Sequence, residues 1–157
     1  MKHPLCPLVA AIAFAFAASA HAQVPEPRDV PYAPGPITVE VDATNLGQRI
    51  MRVRETIPVA PGKLTLLYPE WLPGNHAPRG PIDKLAGIQF SAGGQKLAWK
   101  RDPADVYAFH LEIPQGVSSI TADYHYLTPT DSSQGRVVMT PSMLNLQWNA
   151  VLLYPAG

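Results

Sequence analysis

The stretch Lys84-Leu85-Ala86-Gly87-Ile88-Gln89-Phe90-Ser91-Ala92-Gly93-Gly94-Gln95-Lys96-Leu97-Ala98-Trp99-Lys100-Arg101 reads as a β-hairpin. At its centre stands Gly93-Gly94, and a two-residue type I′ turn needs positive φ at both central positions. Centring the turn there fixes the register. Phe90 faces Leu97, Ile88 faces Trp99 and Ala86 faces Arg101. The apolar pairs fall on one face without adjustment, whereas a one-residue slip would send them all to the other face.

The alternation continues on both sides of the hairpin. Upstream, Ile37 to Val41 alternates cleanly, and Asn45-Leu46-Gly47 marks a turn. Ile50 to Ile57 sets Met51, Val53 and Ile57 on one face and Arg52, Arg54 and Thr56 on the other. Glu55 falls on the apolar face, so either a bulge shifts the register there or Glu55 reaches an edge. Lys63 to Tyr68 is nearly continuous apolar, as expected of a strand covered on both sides. Downstream, Asp102-Pro103-Ala104-Asp105 is a turn. Tyr107, Phe109, Leu111 and Ile113 then alternate with Val106, Ala108, His110 and Glu112. Pro114-Gln115-Gly116 turns the chain into a strand whose apolar face is Ile120, Ala122, Tyr124 and Tyr126. A polar loop, Thr128 to Gly135, precedes a short strand at Arg136 to Met139. Leu144, Leu146 and Trp148 alternate with Asn145, Gln147 and Asn149. No segment has helical periodicity and there is no internal repeat. About eight or nine short strands with turn signals between them predict an all-β, antiparallel β-sandwich.

The amino terminus has a different character. Lys2 and His3 precede the apolar run Leu8 to Ala18, and Ala20-His21-Ala22 supplies small residues at −3 and −1. This predicts a signal peptide over residues 1–22, cleaved after Ala22, and hence a periplasmic or secreted location. Cys6 lies ahead of the apolar run, which argues against a lipoprotein anchor. The mature chain then has no cysteine and no disulfide framework. Residues 23–36 carry five prolines and read as an extended linker. Residues 37–157 form the sandwich domain. The apolar run Val151 to Tyr154 leading into Pro155-Ala156-Gly157 reads as a strand entering a turn. The expectation is a domain truncated at its C-terminus, a fragment whose Leu144 to Tyr154 stretch leaves an apolar edge.

Formal net charge is zero, without the basic excess of a nucleic-acid binder. No second apolar run is long enough to span a membrane after the signal peptide. The zinc-peptidase motif needs two histidines four residues apart on a helix, with a glutamate after the first. Four residues beyond His76, His110 and His125 stand Gly80, Pro114 and Pro129, so the motif is absent. A looser group is conceivable: if Ile113 pairs with Ile120, His110 faces Asp123, with Glu112 and His125 on the same face. Two imidazoles and two carboxylates are metal-ligand types, but a solvated sheet face has the same alternating pattern. There is no Gly-x-Ser-x-Gly elbow, and Ser132-Ser133 reads as loop. Arg52 and Arg54 read as an exposed strand face. No catalytic residue and no cofactor of this chain can be named.

The most individual text is Tyr68-Pro69-Glu70-Trp71-Leu72-Pro73-Gly74-Asn75-His76-Ala77-Pro78-Arg79-Gly80. Three prolines and two glycines make it a rigid loop rather than a strand. Trp71, Pro73, Gly74, Asn75, His76 and Arg79 are the candidate interaction loop. Either Trp71 anchors a partner, or it folds back as a plug over the core. The second is expected, because a buried aromatic of this size would dominate local packing.

Trp71-Leu72-Pro73-Gly74, following the strand end Leu67-Tyr68-Pro69, resembles the N-terminal domain of the glycyl aminopeptidase family of zinc metallopeptidases, peptidase family M sixty-one. Leu97-Ala98-Trp99-Lys100-Arg101-Asp102 and Tyr107-Ala108-Phe109 are similar to the same domain, in order. Asn75-His76 departs from the Ser-Tyr more common after the glycine. The resemblance implies an N-terminal β domain that precedes a catalytic domain bearing His-Glu-x-x-His, and usually a PDZ domain. It implies zinc in that catalytic domain, which is missing here and expected in cis. No catalytic or metal residue carries over to this chain. The role implied is scaffolding or shaping the catalytic cleft. The alternative is a free-standing periplasmic β-sandwich binding module that uses the Trp71 loop.

Overall fold

The computed structural model describes residues 24–25, 29–131, 133 and 137–157. The signal peptide assignment, residues 23 and 26–28 of the amino-terminal linker, Ser132 and residues 134–136 lie outside these residues. Among the described residues the chain forms eleven strands, two or three more than expected, with short 3-10 turns but no α-helix.

Three strands open the fold: β1 (Thr38–Asp42), β2 (Ile50–Pro58) and β3 (Gly62–Leu67). The central hairpin gives β4 (Leu85–Ala92) and β5 (Gln95–Leu97), followed by β6 (Trp99–Arg101). Then come β7 (Ala108–Ile113) and β8 (Ser119–Leu127). The last three are β9 (Val138–Thr140), β10 (Met143–Asn145) and β11 (Tyr154–Pro155). They assemble into a five-stranded sheet, β1-β2-β8-β4-β5, a four-stranded sheet, β11-β3-β7-β6, and a β9–β10 hairpin. All pairings are antiparallel.

The central turn forms as read. Gly93 and Gly94 have φ of 54° and 80°, and Phe90 pairs with Leu97. The next expected pairs do not form. After Leu97 the chain leaves the five-stranded sheet, and Trp99 pairs with Leu111 of β7 in the other sheet. On the opposite arm the pairing of β4 with β8 is irregular between Ala86 and Gln89, where Gly87 adopts φ of 66°. A bulge there bends β4 away from the register that Ile88 opposite Trp99 would require.

The sandwich closes over one core. Met51, Val53 and Ile57 of β2 and Ile120, Ala122, Tyr124 and Tyr126 of β8 face Phe109, Leu111 and Ile113 of β7. Phe90 sits 6.5 Å from Phe109 between ring centres, and Trp99 lies 6.0 Å and 5.5 Å from these two rings. Each alternation read from β2, β7 and β8 therefore points inward as its period demands.

Glu55 is neither at a bulge nor at an edge. The pairing of β2 with β8 runs without a break from Ile50 to Pro58, and Glu55 is 0% exposed. Its alternation is right and its charge is exceptional: the side chain points into the core.

The carboxy-terminal apolar run is also integral. Ala150, Val151 and Leu153 are buried, and Tyr154 pairs with Leu67 at the edge of the four-stranded sheet. Leu146 and Trp148 are not in a strand, because the chain makes a 3-10 turn at Trp148–Ala150.

Candidate functional site

The Trp71 loop starts where β3 ends. Leu72-Pro73-Gly74-Asn75 is a β-turn, closed by the Asn75 N–H donating to the Leu72 carbonyl at 3.0 Å. Gly74 has φ of 76°, so proline and glycine occupy the two central positions that a type II turn favours. The base of the loop is tied twice. The Gly80 N–H donates to the Glu70 carbonyl at 2.7 Å. The Tyr107 hydroxyl donates to the Gly80 carbonyl at 3.3 Å. A Cβ on Gly80 would lie 1.9 Å from the Pro69 carbonyl oxygen, so only glycine lets the two loop ends approach. Tyr68 is buried and stacks on Tyr107, with centroids 6.5 Å apart and planes 6° apart.

This rigid frame holds Trp71 outward. The indole is 61% exposed, which overturns the expectation of a plug. Pro73, Gly74, His76 and Arg79 are also exposed, while Asn75 is half-buried. Tyr68 belongs to the core cluster instead, and Tyr107 packs against it.

The sequence did not point to what lies behind the loop. Glu70, Trp71, Asp105, Tyr107 and Tyr154 line one cavity of about 370 Å³. They come from the start of the loop, the turn before β7, and β11. Asp105 is positioned by accepting the Tyr107 backbone N–H at 2.9 Å. No local pattern joins such distant segments, so only the fold reveals the cavity.

The four polar residues His110, Glu112, Asp123 and His125 are not one cluster. β7 and β8 lie in different sheets, so Ile113 does not pair with Ile120 and His110 does not face Asp123. His110 pairs across strands with Thr65 and Lys100, and Glu112 with Lys63. Asp123 pairs with Arg54, its carboxylate 2.8 Å from Nε. That contact confirms Arg54 as part of an exposed face. His125 stands opposite Arg52. Among the described residues no group of three or more histidine, cysteine, aspartate or glutamate side chains is placed to hold a metal.

His110 has partners of its own. Nδ1 lies 3.0 Å from the Thr65 hydroxyl, and Nε2 lies 2.9 Å from Asp102 Oδ2. Asp102 Oδ1 accepts the backbone N–H groups of Ala104 and Asp105. The His110 contact first, then these N–H groups, lower the Asp102 carboxyl to about 2. With both ring nitrogens engaged, His110 is poorly disposed to ligate a metal.

Among the described residues no helix is long and apolar enough to cross a membrane. A search of the curated proteins finds no match. A solved structure of an aminopeptidase N family protein from Idiomarina loihiensis superposes with a TM-score of 0.63 at 19% identity. The match covers 78% of this chain and 20% of that one, so the chain spans about a fifth of that protein's length. At this identity the likeness shows a common fold. The family described as Peptidase M61 N-terminal domain matches residues 38–157. With a match over that much of its length, this chain belongs to the Peptidase M61 N-terminal domain family.

Proposed function

We propose that this chain is the non-catalytic N-terminal domain of an exported metallo-aminopeptidase, scaffolding or shaping the cleft of a catalytic domain. That domain would carry the zinc and the His-Glu-x-x-His that this sequence lacks. The observation that carries the reading is a concentration of exposed apolar side chains. Met143, Leu144 and Trp148 are 54%, 45% and 60% exposed. Three of the seven large apolar side chains exposed among the described residues thus fall within six positions. They precede Ala150, Val151 and Leu153, which are buried. An aromatic on a fixed base loses little entropy on binding and makes a good anchor. The test is to read the coding DNA beyond Gly157. An in-frame His-Glu-x-x-His is expected, and its absence overturns the proposal. In the longer protein, Met143→Ser with Trp148→Ser is expected to uncouple the melting of the two domains.

A second reading is a free-standing periplasmic module that binds through the Trp71 loop. The exposure of Trp71 on a hydrogen-bonded loop favours it. In that case Trp71→Ala abolishes ligand-induced fluorescence change and leaves the melting temperature in place.

A further inference from the structure

The cavity behind Trp71 is aromatic and anionic at once. Tyr68, Trp71, Tyr107 and Tyr154 wall it, Glu70 and Asp105 are its charged residues, and the remaining lining is apolar. Both acids, Tyr107 and Tyr154 are half-buried. Burial first, then nearby carboxylates that include these two, push the Tyr107 and Tyr154 hydroxyls up from their ordinary acidity. Glu70 and Asp105 thus act on the same enclosed space from different segments. Among the described residues neither forms an ion pair. Two like charges repel more strongly in a partly dry space than in open water, and an entering cation relieves that repulsion.

The two acids are also held in place. The Glu70 carbonyl accepts the Gly80 N–H at 2.7 Å, and the Gly80 carbonyl accepts the Tyr107 hydroxyl at 3.3 Å. The Tyr107 N–H in turn donates to Asp105 Oδ1 at 2.9 Å. One run of hydrogen bonds therefore links Glu70 to Asp105 through Gly80 and Tyr107. A site set before its ligand arrives loses less entropy on binding.

The lining selects among cations. Calcium takes about six to eight oxygen ligands, whereas this wall is mostly aromatic or apolar. An ammonium over the face of a tryptophan or tyrosine is attracted by the ring, and an aliphatic stem packs against the same surface. A guanidinium is a planar fork that matches one carboxylate with two parallel bonds. A primary ammonium has diverging donors, which suit two carboxylates from separate segments. The volume, about 370 Å³, is at the small end for ligand pockets. The 61% exposed Trp71 leaves its mouth open.

We propose that this cavity receives the lysine side chain of a partner polypeptide, with Glu70 and Asp105 accepting from its ammonium and the Trp71, Tyr107 and Tyr154 rings enclosing its stem. The site lies wholly within this domain and depends on neither reading of the domain's role, so its failure leaves the coding-DNA test beyond Gly157 untouched.

The probe is lysine blocked as its N-acetyl methylamide, titrated into the purified chain at constant ionic strength and followed by amide and indole NMR. Saturable shifts are expected at the Trp71 indole and at the Asp105 and Tyr107 amides, and their absence overturns the site. The equally blocked norleucine has the stem without the charge, and methylammonium the charge without the stem. Both are expected to bind more weakly, and equal binding by either overturns the assigned chemistry. Tighter binding of n-butylamine than of blocked lysine overturns the polypeptide source. Glu70→Gln keeps the backbone carbonyl that Gly80 uses, and Asp105→Asn keeps an oxygen for the Tyr107 N–H, so both are expected to melt as the parent does. Each should weaken blocked-lysine binding about three- to tenfold. Unchanged affinity in both variants overturns the charge pairing.

Discussion

The Glu55 carboxyl group, enclosed in the sandwich, accepts the Leu153 backbone N–H at 2.7 Å. The Tyr124 hydroxyl lies 3.2 Å from the same oxygen and donates to the Val151 carbonyl at 2.7 Å. The Tyr68 hydroxyl donates to the Ala150 carbonyl at 2.9 Å. Three side chains from β2, β8 and the end of β3 thus hold the backbone of residues 150–153. Without them, irregular backbone would be buried with unmet polar groups, each costing about 1–3 kcal/mol. The other Glu55 oxygen has no hydrogen-bond partner among the described residues. Burial, partly offset by the Leu153 and Tyr124 contacts, pushes the Glu55 carboxyl up to about 8.

That displacement fixes a pH dependence. Below 4.5, the ordinary value, Glu55 is neutral in the folded and unfolded chain alike. Between 4.5 and about 8 the unfolded chain loses the proton and the folded chain keeps it. Stability is therefore expected to fall as pH rises through this window, by at most roughly 1.4 kcal/mol per unit, and to level off above it. Urea melts at pH 5 and pH 8 check this. Glu55→Gln keeps an acceptor for Leu153 and should flatten the slope.

Asp102 works in the opposite direction at the acid end. Its folded value, about 2, lies below the ordinary 3.8. Its contribution is present above 3.8 and is lost as pH falls toward 2. Acid titration of the melting temperature should show the drop, and Asp102→Asn should make it shallower.

Gly80→Ala is expected to destabilise by about 2 kcal/mol or more, because the new methyl meets Pro69 backbone rather than a movable side chain. The loop cannot close with the Glu70–Gly80 bond intact. Thermal melting, together with a shift in Trp71 emission, measures both effects.

Trp71→Ala and Phe109→Ala should separate loop from core. Trp71 is largely exposed and Phe109 is fully buried. The first is expected to change stability by no more than about 0.5 kcal/mol, the second to cost about 3–5 kcal/mol. Denaturant unfolding of the two variants side by side tests the contrast.

Tyr124→Phe removes one hydroxyl and leaves the Val151 carbonyl unpaired in the core. A loss of about 1–3 kcal/mol is expected. Faster amide exchange at Leu153 should accompany it.

Local signals were legible and long-range ones were not. The Gly93-Gly94 turn and the alternations of β2, β7 and β8 depend on neighbours in sequence, and each forms as read. Sheet membership depends on the whole fold. Nothing near Pro114-Gln115-Gly116 says that the turn crosses between sheets rather than closing a hairpin, and the supposed histidine cluster failed for that reason. Glu55 announced itself as a charge on an apolar face. Its resolution required Leu153, 98 residues away. Trp71 was misjudged from its size, because the Pro73-Gly74 turn and the Gly80 contact direct the indole outward. The cavity behind it joins segments too far apart in sequence for any motif to reveal.

The passage of one strand from sheet to sheet at Ala98 has a consequence for engineering the chain. Leu97 belongs to one layer and Trp99 to the other, so a new terminus or an inserted domain between them would cut a stitch shared by both. Exposed loop tips ordinarily tolerate such surgery, and the tip at Gly93-Gly94 meets that description. Two junctions only a few residues apart should therefore behave oppositely: permutants opened at Gly93-Gly94 should fold, and those opened at Ala98 should not.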